Sequence, residues 1–350
     1  MRFVKKLSLM RLVFPSFHHR LIPLLLLPLL LLSLAQCRQR PPYQADINRV
    51  HIDPIEISRY EEVLFNVNPY RLQEELEPHA DRFRFFLGDG LQDPLARQQL
   101  FAYVTDPLLQ ELYEDTRKVW PDLKVLEEDL TLAFRYYRAH FPEAPIPRLY
   151  SYVSGIDYQL PIKFAGQDAA IGLDNYLGAD YRTYGQIGIP AYQVRTMAPD
   201  YVGVDLMRLM AELHLQSTPY EPETLLDFMV YEGKMLYFLD CVFPLVPDSV
   251  KVGYSQEQQE WMQGNRGLVW TYLVDNELLY SSDRQMISRF VGDAPFTSVF
   301  SRGSAPKTGV WTGWQIVREY MRRHPEVSLP ELLAMRDAGQ LLQDSRFRGR

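Results

Sequence analysis

The apolar positions change their spacing several times along the chain, and each change predicts a different element. Leu21 to Ala35, LIPLLLLPLLLLSLA, is almost wholly apolar. It falls short of the roughly 20 residues that a membrane-spanning helix needs, and Pro23 and Pro28 interrupt it. With basic residues before it and small or polar ones after, it reads as the core of a secretory signal. RVHIDPIEI, from Arg49 to Ile57, alternates apolar and polar residues and predicts a strand that Pro54 confines to a sheet edge. Spacings of three and four then take over in Tyr70 to Leu87, in Asp93 to Val119, which Pro107 can break, and in Leu123 to Phe141. These segments predict an N-terminal helical layer.

Between Arg148 and Leu177 the period shortens towards two. RLYSYVSG, YQLPIKFA and AAIGLDNYL read as strands joined by turns at Gly155-Ile156-Asp157 and Gly166-Gln167-Asp168, so a small β-meander is expected. Helical spacing returns at Tyr201 and lasts to the end. Helices, a compact sheet and more helices make an α+β chain that is mostly α-helical, with helical layers around the meander. No repeat, low-complexity tract or linker divides the body. The expected organisation is a signal peptide over 1–36, a lipidated tether over 37–48 and one globular domain over 49–350.

Composition narrows the function classes. The 350 residues are 47% hydrophobic and 23% charged, which excludes a disordered or collagen-like chain. Five of the 37 basic residues and none of the acidic ones lie in 1–36. Taking those five away leaves 32 basic against 44 acidic residues, so the net charge of −7 becomes −12 after the signal. A body this acidic lacks the clustered Lys and Arg that a phosphate backbone requires, and no nucleic-acid partner is expected. Leu34-Ala35-Gln36-Cys37 resembles the bacterial lipobox, in which the signal peptidase cuts ahead of a cysteine that is then acylated; Gln36 departs from the small residue usual there. Cys37 is therefore the candidate lipidation site, and the membrane is an expected partner through that lipid. Pro41 and Pro42 stiffen the tether, which carries no acidic export-like cluster, so the body is expected to face the periplasm. With Cys37 acylated, Cys241 has no intramolecular partner and is expected to be a buried thiol.

Candidate chemistry concentrates between Asp205 and Val242. DLMRLMAELHL predicts an amphipathic helix with Leu206, Leu209, Met210 and Leu213 on one face and Asp205, Arg208 and Glu212 on the other, where Arg208 and Glu212 can pair. The next helix, from about Pro222 to Val242, is apolar on nearly all sides and should be buried. Glu232 falls within it, and a charged carboxylate there needs a partner, a metal or a raised pKa. Lys234 also lies among apolar neighbours, and Gly233 beside it points to a close packing contact. In zinc peptidases an H-E-x-x-H helix supplies two ligands and a base, and a later glutamate supplies the third ligand. Glu232, in YEGK, resembles that glutamate, but Ala211 and Leu215 stand at the ligand positions around Glu212. The expectation is a degenerate zincin-like (gluzincin) scaffold in which Glu212, His214 and Glu232 are a vestigial site, with no metal, no cofactor and no catalytic residue. The alternative is a zincin-type envelope metallopeptidase that uses Glu232 with other ligands. There is no G-x-S-x-G elbow, P-loop or dinucleotide fingerprint. Asp174 and Asp180 offer too few oxygens for calcium and suit turn capping better.

In GVWTGWQIVREYM, Gly309 to Met321, Trp311 and Trp314 precede a predicted helix. They form either a packing corner or an aromatic contact for a carbohydrate, and the second requires both rings to be exposed. The lipobox, VHIDPIEISRYEEVLF, IGLDNYLGADY, VYEGKMLYFLD, GYSQEQQEW, the APF turn and GVWTGWQIVREYM follow one another in the order found in the gliding motility lipoprotein GldB family of Bacteroidetes. The chain resembles that family over nearly all of its mature length. The resemblance implies a cell-envelope lipoprotein associated with gliding, a surface movement driven by an envelope machine linked to protein secretion. It implies other envelope proteins of that machinery as partners and does not imply an enzymatic reaction.

Overall fold

In the computed structural model, which describes residues 43–217 and 220–349, the N-terminal helices start where aspartate and proline stand together. The signal core, the lipobox with Cys37 and the tether as far as Pro42 lie outside the described residues. Among the described residues there are nine helices of eight residues or more: α1 (Pro94–Thr105), α2 (Pro107–Val119), α3 (Lys124–His140), α4 (Val202–Gln216), α5 (Leu225–Val242), α6 (Gln256–Asp275), α7 (Arg284–Val291), α8 (Thr308–Arg323) and α9 (Ala338–Ser345). Asp93 caps α1 by accepting from the Leu95 N–H at 2.9 Å, and Asp106 caps α2 by accepting from Leu108 and Leu109 at 2.8 and 3.1 Å. Pro107 thus breaks the long periodic stretch in two. Capping boxes at Thr224 with Asp227 and at Ser255 with Gln258 start α5 and α6.

The segment 70–87 is not the single helix that its periodicity predicts. Only Leu72–Leu76 and Arg84–Leu87 are α-helical, and a 3₁₀ turn containing Pro78 separates them. Proline removes a backbone donor and its ring clashes with the preceding turn, so the helix cannot run through. The apolar spacing persists for another reason. Leu72, Leu76, Phe83 and Leu87 all face a small core of their own with Tyr60, Leu64 and Tyr150.

Four strands, β1 (Ile57–Arg59), β2 (Arg148–Tyr152), β3 (Ile162–Ala165) and β4 (Asp168–Gly172), form a sheet in the order β1-β2-β4-β3. Only β3 and β4 make the antiparallel hairpin that a meander requires; β1 with β2 and β2 with β4 are parallel. Asp174 ties the ends of two of these strands together. Its carboxylate accepts from the Ser154 N–H at 2.7 Å, the Ser154 hydroxyl at 3.0 Å and the Ile156 N–H at 2.6 Å, binding the end of β2 to the turn after β4. Burial pushes the Asp174 carboxyl up while these bonds oppose it. Asp180 is exposed and takes no part in this turn. β1 lies at the sheet edge but begins only at Ile57, so Pro54 stands before the strand and not within it.

The larger core is built around α5, against which α3, α4 and α8 pack. At the crossing of α5 and α8 two glycines meet. A Cβ on Gly233 would lie 2.5 Å from the Gly313 carbonyl carbon, and a Cβ on Gly313 would lie 1.8 Å from the Met229 carbonyl oxygen. The close contact that Gly233 suggests is therefore backbone against backbone. Tyr43, Ala45 and Ile47, which the sequence places in the tether, pack on this core instead. Arg135 secures them by donating to the Ile47 and Val50 carbonyls at 2.9 and 3.1 Å. No helix among the described residues is long and apolar enough to cross a membrane.

Candidate functional site

Of the apolar face expected on α4, Leu206 and Met210 are buried in the core and Leu209 packs against it. Val204, Met207, Ala211 and Leu215, spaced by three and four, are buried, whereas Leu213 is exposed. Asp205 meets Tyr176, whose hydroxyl donates to it at 2.9 Å. Burial pushes the Asp205 carboxyl up to about 6, so this residue does not lie on a solvated face.

Arg208 reaches across to α5 and donates to Glu232 rather than to Glu212. Both members of that pair are half-buried, so Glu232 sits at the margin of the core and not inside it. Glu212 accepts from Gln216 Nε2 at 3.0 Å. His214 belongs to another neighbourhood: its ring stacks on Phe141 with centroids 4.1 Å apart, and it shares a 3.0 Å hydrogen bond with the Tyr137 hydroxyl. Burial lowers its pKa. Each of Glu212, His214 and Glu232 is thus engaged separately, and no hydrogen bond joins any two of them. Among the described residues, no group of three or more His, Cys, Asp or Glu side chains is placed to hold a metal ion.

Lys234 is buried and donates to the Met335 carbonyl. Burial, with Arg336 nearby, pulls its pKa down from 10.5 to about 7. Between those two values the unfolded chain binds more protons than the folded one, so stability rises with pH across that window and is lowest below it. Lys234→Met should flatten that rise and stabilise the protein at pH 6 by about 1–3 kcal/mol in urea titrations. An unchanged pH profile in the variant would remove Lys234 as its source.

The polar residue that sequence spacing does not reveal is Asp240. It is fully buried on α5 and accepts from Lys251 Nζ at 2.9 Å, from Trp314 Nε1 at 2.8 Å and from Arg318 Nε and Nη2, both at 2.7 Å. Arg318 also forks onto Asp248 at 2.7 and 2.8 Å, and its guanidinium stands 3.7 Å from the Trp314 ring centroid. Burial resists ionisation of Asp248, but the Arg318 guanidinium outweighs it and holds that carboxyl below its usual range. The donors lie 11, 74 and 78 positions from Asp240, so no local motif marks it. Trp311 and Trp314 lie inside α8, not before it, and are 5% and 0% exposed. They do not meet the exposure that a carbohydrate platform demands. Cys241 is buried and free, and burial pushes its thiol well above the ordinary value.

A surface of another kind opens where α3, α4 and the chain after α5 converge. This groove, of about 460 Å³, has a floor that includes Trp120, Leu126, Val204 and Phe243. Val125 and Leu245, on its walls, are 72% and 75% exposed. Asp122, Asp129 and Asp200 also line it, with no Lys or Arg among the lining residues. Burial, then Glu128 and Asp200, push the Asp129 carboxyl up, a sign of crowded negative charge. Trp120 Nε1 is buried here with no acceptor among the described residues. An apolar floor with a polar margin and an unmet donor is the composition of a protein-contact surface.

The sequence segments that resemble a known family supply the structural centre. VYEGKMLYFLD carries Gly233 and Asp240; GVWTGWQIVREYM carries Gly313, Trp314 and Arg318; IGLDNYLGADY carries the Asp174 turn. No curated protein and no solved structure matches the chain. Residues 40–349 do match the family described as gliding motility protein GldB, which spans almost the entire body. The chain therefore belongs to the GldB family, a family associated with gliding motility.

Proposed function

We propose that this protein is a lipid-anchored, non-catalytic accessory protein facing the periplasm, and that it serves gliding and the linked protein secretion by holding another envelope protein. The observation that carries the reading is the acidic-rimmed apolar groove. Its charge calls for a partner segment with apolar side chains flanked by Lys or Arg, and a backbone carbonyl of that segment would satisfy Trp120 Nε1. Where polar groups resemble catalytic ones, they are occupied: Glu232 by Arg208, Asp174 by its turn and Asp240 by three side chains. The acyl chain proposed at Cys37 would keep the body at a membrane surface, beside envelope partners. A photo-crosslinking residue placed at Leu245 in a gliding host should yield one discrete adduct with an envelope protein. The same residue at exposed Leu268 on α6 should yield none. Equal adducts from both positions, or none from Leu245, would contradict the reading.

A further inference from the structure

We infer that the cavity between α6, α8 and the C-terminal segment after α9 binds a phosphoryl group. Arg266, Arg318, Arg322, Arg346 and Arg348 line this cavity of about 370 Å³, and Glu319 is the one acid among its lining residues. In a body as acidic as this one, such a concentration of cations stands out. Arg318 is spent on Asp240 and Asp248, and Arg322 on Glu319 at 2.7 Å. Arg266, Arg346 and Arg348 have no ion-pair partner among the described residues.

A second observation comes from the wall of the cavity. Trp311 and Gln315 line it, and their Nε1 and Nε2 donors are buried without acceptors. Other buried donors of α8 are satisfied: Thr312 Oγ1 donates to the Thr308 carbonyl at 2.8 Å and Trp314 Nε1 to Asp240. Leaving two donors unmet is unfavourable unless something with several acceptor oxygens completes them. Three free guanidinium forks beside two N–H donors exceed what a two-oxygen carboxylate can use and suit a phosphoryl group.

The tail is held in place for this task. Phe347 meets Trp270 edge-on with centroids 5.1 Å apart, and Gly349, at φ +70°, lies so close to α6 that a Cβ would stand 2.4 Å from Trp270 Cβ. The left-handed turn at Arg346 brings the chain round so that Arg346 and Arg348 both face the cavity.

The phosphoryl group can come from free phosphate or from a lipid headgroup, and one experiment separates them. The full chain in non-ionic detergent is titrated with inorganic phosphate and, separately, with a water-soluble short-chain phosphatidic acid, following thermal protection and calorimetric heat. Both ligands should bind, and R346Q/R348Q should weaken each by at least roughly tenfold, whereas R323Q, outside the cavity, should leave both unchanged. Tenfold tighter binding of the phosphatidic acid supports the site with a lipid headgroup as its source; equal or tighter binding of phosphate supports it with free phosphate. No binding of either ligand overturns the proposal. So does binding that survives R346Q/R348Q, or that falls equally in R323Q.

Discussion

Gly313→Ala is expected to abolish the stable fold. The new methyl carbon would stand 1.8 Å from the Met229 carbonyl oxygen and 2.3 Å from its carbon, so only separation of α5 from α8 can make room. These are backbone atoms of the central helix and have no alternative rotamer. The cost should exceed about 4 kcal/mol, above the usual range for overpacking, because neither helix axis can shift without opening the core on both sides. The urea midpoint of the purified variant measures it, with failure to accumulate as the extreme form of the same result. Gly264→Ala is the matching control, since nothing lies within 4 Å of the added carbon on α6, and it should stabilise by about 0.5–1 kcal/mol. A Gly313→Ala protein of normal stability would disprove the backbone crossing.

The second large effect is expected at Asp240. Asp240→Asn keeps the shape but removes the negative charge that faces Lys251, itself fully buried, and half of what holds Arg318. Breaking a buried ion pair by removing one partner strands the other charge, at about 3–5 kcal/mol. For a body of this size that is a fall of about 5–8 °C in Tm. Adding Lys251→Met should recover much of the loss, because the stranded cation then disappears. A double-mutant cycle with no coupling between the two positions would show that the pair is not a unit.

Much of this architecture is legible in sequence, and the failures have physical causes. Pro107 fixes a local break that needs no distant partner, and Gly233 in an otherwise apolar helix signals a close contact whose other half, Gly313, only the fold supplies. The helix expected over 70–87 fails at Pro78, because a shared small core keeps the apolar spacing of a helix where the backbone cannot be one. The meander fails because β4 returns to pair in parallel with β2 and leaves β3 at the edge, a long-range pairing that period-two spacing does not encode. Glu232 draws attention as a lone acid among apolar neighbours, yet its partner Arg208 lies on the preceding helix and its position is at the core margin. Asp240 is the converse. It ends an apolar run without a conspicuous pattern, and its importance appears only when residues 251, 314 and 318 fold around it. The groove and the arginine cavity are equally silent in sequence, since their lining residues come from segments far apart in the chain.

The proposed mode of action is contact with an envelope partner through the acidic-rimmed groove. Surface spreading of a gliding host whose own copy carries Val125→Glu and Leu245→Glu tests it most directly, with cellular level and Tm measured in parallel. Both side chains are exposed, so folding should be unaffected within about 0.5 kcal/mol, while two added charges in an apolar, already acidic contact should expel the partner. The expected result is normal level, normal Tm and loss of spreading. Wild-type spreading with the groove so altered would contradict the account.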